Sequence, residues 1–235
     1  MINESATERV IDEVEFLRRI VPLVGARVIE LGCGTAEVAR RLLERGVVTS
    51  VTALEVDRRQ HAANIAIEHP SNLRFMLAGA EDIALADQQF DVALMLKSLH
   101  HVPMRELGRA LAEVRRVLVP GGYLYVSEPL YGGDFNDIVR LFHDEGEVRA
   151  AAYAALQQAA ADGVLEWVEE RIFETPLTFR DFDDFVDRVV RVTHSDLSLD
   201  QATAAEVRRR FDQFMSPQGA HFVRQMRVNL LRRAD

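Results

Sequence analysis

The chain predicts an α/β fold: a doubly wound, mostly parallel sheet with an antiparallel last strand and a helical lid or insert. Three observations lead there. Short β-branched runs alternate with helical patterns of about ten residues, the signature of crossover units and a parallel sheet. A glycine turn, Gly32-Cys33-Gly34, joins the first run to the next helix. After Gly133 the alternation breaks and helical periodicity takes over.

The elements follow in order. Ser5 and Glu8 have capping-box spacing, and Val10, Val14, Leu17 and Val21 recur at helical intervals, so residues 1–25 predict an N-terminal helix. Residues 26–130 form the alternating core, with predicted strands at 27–31, 47–56, 73–77, 90–96 and 123–127. Predicted helices lie between them at 36–45, 58–68 and 104–118, the first stopped by Gly46, the second by Pro70 and the third by Pro120-Gly121-Gly122. Residues 131–220 read as a substrate-side insert, helical over 134–161, 181–192 and 200–215, with a strand near 167–173. In 221–235 the period of two at Phe222, Met226, Val228 and Leu230 suits the last strand. The whole reads as one elaborated domain.

Composition narrows the function. Of 235 residues, 48% are apolar and 28% charged, an ordinary globular balance that needs no metal or disulfide staple. The formal net charge of −9 opposes binding to a nucleic-acid phosphate backbone. Cys33, the single cysteine, excludes an internal disulfide and a multi-cysteine metal site. No apolar run reaches the roughly 20 residues of a membrane span, and the N-terminus has no secretory apolar region. A cytoplasmic protein with a small-molecule partner, and with neither nucleic acid nor membrane, is expected. His61, His69, His143, His194 and His221 show no ligand spacing, so no metal is expected.

In such sheets ligands sit beyond the carboxyl ends of the strands, where strand order reverses. The segment Val28-Ile29-Glu30-Leu31-Gly32-Cys33-Gly34-Thr35-Ala36 ends the first strand there. A dinucleotide fingerprint needs a third small residue at 37, where this chain has Glu37, wrong in size and sign beside a pyrophosphate. Glu30 would repel a diphosphate but favours a ligand with an ammonium and a sulfonium, which is S-adenosylmethionine. Glu55, roughly 20 residues past the turn, is placed to accept both ribose hydroxyls, while Asp57 suits the N-cap of the next helix.

These segments resemble, in order, the Rossmann-like (class I) S-adenosylmethionine-dependent methyltransferases of the small-molecule branch. The resemblance covers residues 26–130: VIELGCGTA, VTALEVD, LAGAEDIAL, FDVALMLKSLHHVP and LAEVRRVLVPGGYLYVSEP. It implies a cofactor site of Glu30, Gly32, Cys33, Gly34, Glu55, Val56, Ala80, Glu81 and Lys97, with S-adenosylhomocysteine as product. Two positions depart from the pattern. Ala36 replaces the third glycine, and Gly79 stands where an Asp commonly accepts the adenine amino group, leaving that role to Glu81 or Asp82 and the ring to the backbone of Ala80.

Methyl transfer by in-line displacement (to oxygen, carbon or nitrogen) needs a positioned nucleophile, and a base when the nucleophile arrives protonated. His101 and His100, just past the fourth strand, are the candidate bases. Lys97, Glu128 and Tyr131 face the same expected cleft. Cys33 reads as a small buried side chain, and most of Phe135, Phe142, Phe173, Phe179, Phe182 and Phe185 as core. Three rival readings accompany this one: a non-catalytic or regulatory protein that retains the fold, a nicotinamide-dependent oxidoreductase, and a methyltransferase of protein side chains.

Overall fold

The computed structural model describes residues 7–191 and 199–234. The chain divides into two compact units, one built from 12–128, 148–171 and 227–235, the other from residues up to 11, 129–147 and 172–226.

The larger unit opens with α1 (Glu13–Ile20), which buries Val14, Phe16 and Leu17. The helix starts later than the capping-box spacing predicts. Its N-cap is Asp12, whose carboxylate accepts from the Val14 N–H at 3.0 Å and is also held by Arg41 and Arg45. Glu8 instead lies in a short strand, β1 (Glu8–Arg9), and Ser5 falls outside the described residues.

Then come β2 (Arg27–Leu31), α2 (Glu37–Glu44), β3 (Ser50–Glu55), α3 (Arg58–Ala66), β4 (Leu73–Leu77), β5 (Phe90–Leu96), α4 (Leu107–Val117) and β6 (Leu118–Pro129). All pair in parallel, in the spatial order β6-β5-β2-β3-β4. The apolar runs of β2 and β5 are buried almost end to end, as strands covered on both faces must be. β6 starts earlier than predicted because Pro120-Gly121-Gly122 does not separate it from α4. Phe90 pairs with Leu118 and Val92 with Tyr123, so the glycines form a bulge inside the strand. The last strand, β9 (Gly219–Arg232), runs antiparallel to β6: Gly121 bonds to Arg233 and Leu130 to Gln225. Ala152, Leu156 and Ala159 of α6 (Gly146–Ala161) join Leu111, Val114, Val126 and Leu231 in one core.

In the smaller unit β1 pairs in parallel with β7 (Glu166–Phe179), which carries that strand past its predicted end at 173. β8 (Met215–Ser216) forms a hairpin with β9. α5 (Asp134–Val139), α7 (Phe182–Phe185) and α8 (Gln201–Phe211) surround a phenylalanine core of Phe179, Phe185, Phe211 and Phe222, with Phe135 stacked on Phe179 at 6.0 Å. α7 runs on as a single π-helical stretch through Val190, shorter than the predicted helix to 192, a residue outside the described ones. Asp181 and Asp200 cap α7 and α8. Among the described residues no helix is long and apolar enough to cross a membrane.

Candidate functional site

The strand order reverses at β2, whose neighbours are β3 on one side and β5 on the other. The turns after β2 and β5 meet there. Gly32 has φ +72°, and a Cβ on it would lie 2.7 Å from the Cβ of Ser98, so the close approach of the two turns requires glycine. Ser98 ties them together by donating to the Leu31 carbonyl at 2.7 Å. Gly34 also has positive φ, +53°, but a Cβ there would meet nothing within 4 Å. Its bare backbone borders open space, the property a closely approaching ligand needs.

Two side chains stitch the turn. Glu55, buried at the end of β3, accepts from the Gly34 N–H at 2.8 Å through Oε2, and from the Val56 and Asp57 N–H groups at 2.8 and 2.9 Å through Oε1. Asn64 on α3, also buried, donates to the Gly34 carbonyl at 2.7 Å. Asp57 caps α3 by accepting from Arg59 N–H, as its spacing implied.

Glu30 is 3% exposed, and its Oε2 has no hydrogen-bond partner. Burial pushes its carboxyl up to about 8, against the opposing pull of a backbone hydrogen bond at Ala39 and the charge of Lys97. A lone buried carboxylate oxygen suits a cationic donor and opposes a diphosphate. Part of the case against a dinucleotide needs correction. Glu37 is not in a tight packing position: it opens α2 with its side chain 73% exposed and pairs with Arg41. The packed position is Ala36, fully buried and left-handed with φ +56°. Glu37 therefore opposes a pyrophosphate by sign only.

Cys33 packs beneath the turn, within 3.7 Å of the Asn64 amide, and burial drives its thiol far above the ordinary range, which opposes the thiolate form. Beyond β4, Ala80 is buried and the Glu81 carboxylate folds back over Gly79. A Cβ at 79 would lie 2.6 Å from the Glu81 Cδ. The Glu81 carboxylate thus fills the space that a side chain at 79 would need, while Asp82 is directed to Arg109 at 3.6 Å. Val56 is exposed at the end of β3. Lys97, left-handed with φ +56°, reaches Glu13 of α1 at 3.8 Å.

The two histidines differ. His100 is buried against Glu128, which lies near the end of β6, and His101 is exposed with its ring 4.1 Å from that of His100. Tyr131 belongs to the smaller unit, where its hydroxyl meets Arg140. Asn64 and Ser98 escaped the sequence reading. Asn64 is an unremarkable polar residue in a helical segment, and only the fold brings it under the turn.

Comparison with known proteins gives a consistent result. Residues 29–126 match the family described as methyltransferase domain. An O-methyltransferase of Pyrenophora dematioidea is 32% identical over 131 residues, covering 53% of this chain and 46% of that protein. The 27-O-demethylrifamycin SV methyltransferase of Amycolatopsis mediterranei is 33% identical over 130 residues, again 53% of this chain and 46% of that protein. The chain thus spans about half the length of these curated relatives. The solved N-methyltransferase NodS of Bradyrhizobium japonicum, in complex with S-adenosyl-L-homocysteine, shares the fold at TM-score 0.54 and 13% identity, over 95% of this chain and 86% of that one. On its motifs, its strand order and these matches, the chain resembles, over residues 29–126, the methyltransferase domains of the Rossmann-like, S-adenosylmethionine-dependent class.

Proposed function

We propose that the protein is an S-adenosylmethionine-dependent methyltransferase acting on a small molecule. The observation that carries this reading is the pairing of a bare Gly34 beside open space with the lone oxygen of buried Glu30. Bound there, the cofactor supplies a methyl group on a sulfonium leaving group. Glu30 would take its ammonium, and Glu55 would accept from the ribose hydroxyls with the lone pairs its backbone partners leave over. Gly32, Cys33 and Gly34 form the floor, Val56, Ala80 and Glu81 the adenine side, and Lys97 sets the local potential at Glu30.

His100 or His101 would receive the proton leaving the acceptor. The Pyrenophora relative named as an O-methyltransferase favours oxygen as the acceptor atom. The net charge of −9 favours a small molecule over a nucleic acid, and the single cysteine suits a cytoplasmic setting. The two departures from the family pattern do not favour a retired site: Ala36 adopts the glycine-like conformation, and Glu81 fills the space over Gly79.

Calorimetric titration with S-adenosylhomocysteine, with NADH as control, tests the reading. Micromolar binding of the first and none of the second is expected. Binding of NADH, or of neither, would overturn it.

A further inference from the structure

Arg227 on β9 is a half-buried cation with no acid bound to it among the described residues. Its guanidinium carbon lies 3.4 Å from the centre of the Tyr153 ring on α6, and its Nε is buried without a hydrogen-bond partner. Burial pulls the guanidinium below the ordinary arginine range, while Tyr153, Glu170 and Glu128 act on it through charge alone. Both of those carboxylates are engaged elsewhere. Glu170 on β7 accepts from the Tyr153 hydroxyl at 2.9 Å and from the Asn229 amide at 2.8 Å. Glu128 contacts Nδ1 of His100 with one oxygen and accepts from the Leu99 N–H at 2.9 Å with the other. Arginines that serve the fold of this unit are paired, as Arg27 is with Asp91, and Arg116 with Glu113 and Asp87.

The sheet register gives Arg227 its place. The Arg233 N–H donates to the Gly122 carbonyl at 2.8 Å, and the Leu130 N–H to the Gln225 carbonyl at 2.9 Å, so β6 and β9 keep one antiparallel register between them. That register sets Arg227 opposite Glu128, with both side chains on one face. Arg227 therefore stands at the carboxyl end of β6, across from the residue that holds His100.

We propose that Arg227 is a specificity residue that takes a carboxylate of the methyl acceptor, which makes the acceptor a hydroxy acid. The inference deepens the methyltransferase reading and rests on it. A guanidinium presents its N–H donors in a planar fork that matches a carboxylate, and the Tyr153 ring holds that fork in place before the acceptor arrives. A half-buried cation without a partner is held at a cost, which an acceptor anion removes. The charges of Glu128 and Glu170 limit that anion: they oppose a dianion such as a phosphate monoester and admit a single negative charge. An acceptor anchored there by its carboxylate keeps its hydroxyl free for the cofactor methyl.

The deciding measurement uses acetate as the probe, on protein saturated with S-adenosylhomocysteine. Nitrogen NMR of protein labelled with 15N-arginine follows the Arg227 Nε–H, assigned with Arg227→Gln, and the line width of 13C-acetate reports binding in each variant. Sodium chloride and inorganic phosphate at matched ionic strength are the controls. Acetate is expected to move the Arg227 signal saturably, at a concentration at least tenfold lower than chloride or phosphate requires. Arg227→Gln should abolish the broadening of acetate while binding S-adenosylhomocysteine within twofold of the wild type. An Arg227 signal that acetate leaves in place would overturn the proposal without any variant. So would a signal that phosphate moves at lower concentration, or a folded Arg227→Gln protein that broadens acetate as the wild type does. Tight binding of S-adenosylhomocysteine alongside any of these results would refute the role of Arg227 while sparing the cofactor reading, whereas its failure to bind would overturn both.

Discussion

Glu30 carries the most exposed expectation, because the fold places it at a cost that a ligand can remove. Its carboxyl is raised from 4.5 to about 8, chiefly because burial strips water from the charged form. That difference corresponds to about 5 kcal/mol between its two protonation states. The raised value makes the sign definite: the penalty is absent below 4.5, grows as the pH rises, and is complete above 8. At pH 7 it amounts to about 3 kcal/mol in the empty protein.

A ligand ammonium at Oε2 favours the ionised form, so binding near neutrality expels the carboxyl proton. About 0.9 proton should be released per S-adenosylhomocysteine bound at pH 7, and affinity should rise about ninefold from pH 6 to pH 7 before levelling near 8. Titration calorimetry in buffers of different ionisation enthalpy reads the proton directly. Glu30→Gln removes the titrating group. It should abolish the proton release, weaken binding at pH 8 by tenfold or more, and raise the stability of the empty protein at that pH by about 1–3 kcal/mol. An enthalpy independent of buffer, or a Gln variant that binds like the wild type, would refute the assignment of Glu30 to the ammonium.

The glycine turn separates two effects. Gly34→Val should fold, with a loss of about 1–2 kcal/mol for its left-handed backbone, yet bind no S-adenosylhomocysteine, whereas Gly32→Ala should lose stability in thermal denaturation through its clash with Ser98. Ala36→Gly relieves a left-handed alanine and should stabilise the protein by about 1 kcal/mol, read as a higher melting temperature. Asn64→Ala leaves the Gly34 carbonyl without its buried donor. It should cost about 1–3 kcal/mol in urea unfolding and loosen cofactor binding, an effect that normal stability would disprove.

Much of this was legible in the residues themselves. The strands at 27–31 and 90–96 begin and end where their largely apolar runs do, because a strand buried on both faces admits almost nothing else. The Gly-x-Gly turn, the acidic residues at 30 and 55, and the cap at Asp57 are local features, readable from spacing because the chain geometry between strand and helix is short and stiff. The chain ends were less legible. Asp12, not Ser5, caps the first helix because Arg41 and Arg45, distant in sequence, converge on its carboxylate.

What only the tertiary structure decided is which neighbours complete each group. Proximity across strands turns Ser98 and Asn64 into parts of the glycine turn and brings Glu128 behind His100. It also seats Glu81 over Gly79 and exposes Glu37 where spacing placed it inside. Motif spacing is set by the local backbone, whereas burial and hydrogen-bond partners are set by strand order, and strand order brings together residues that the sequence keeps far apart.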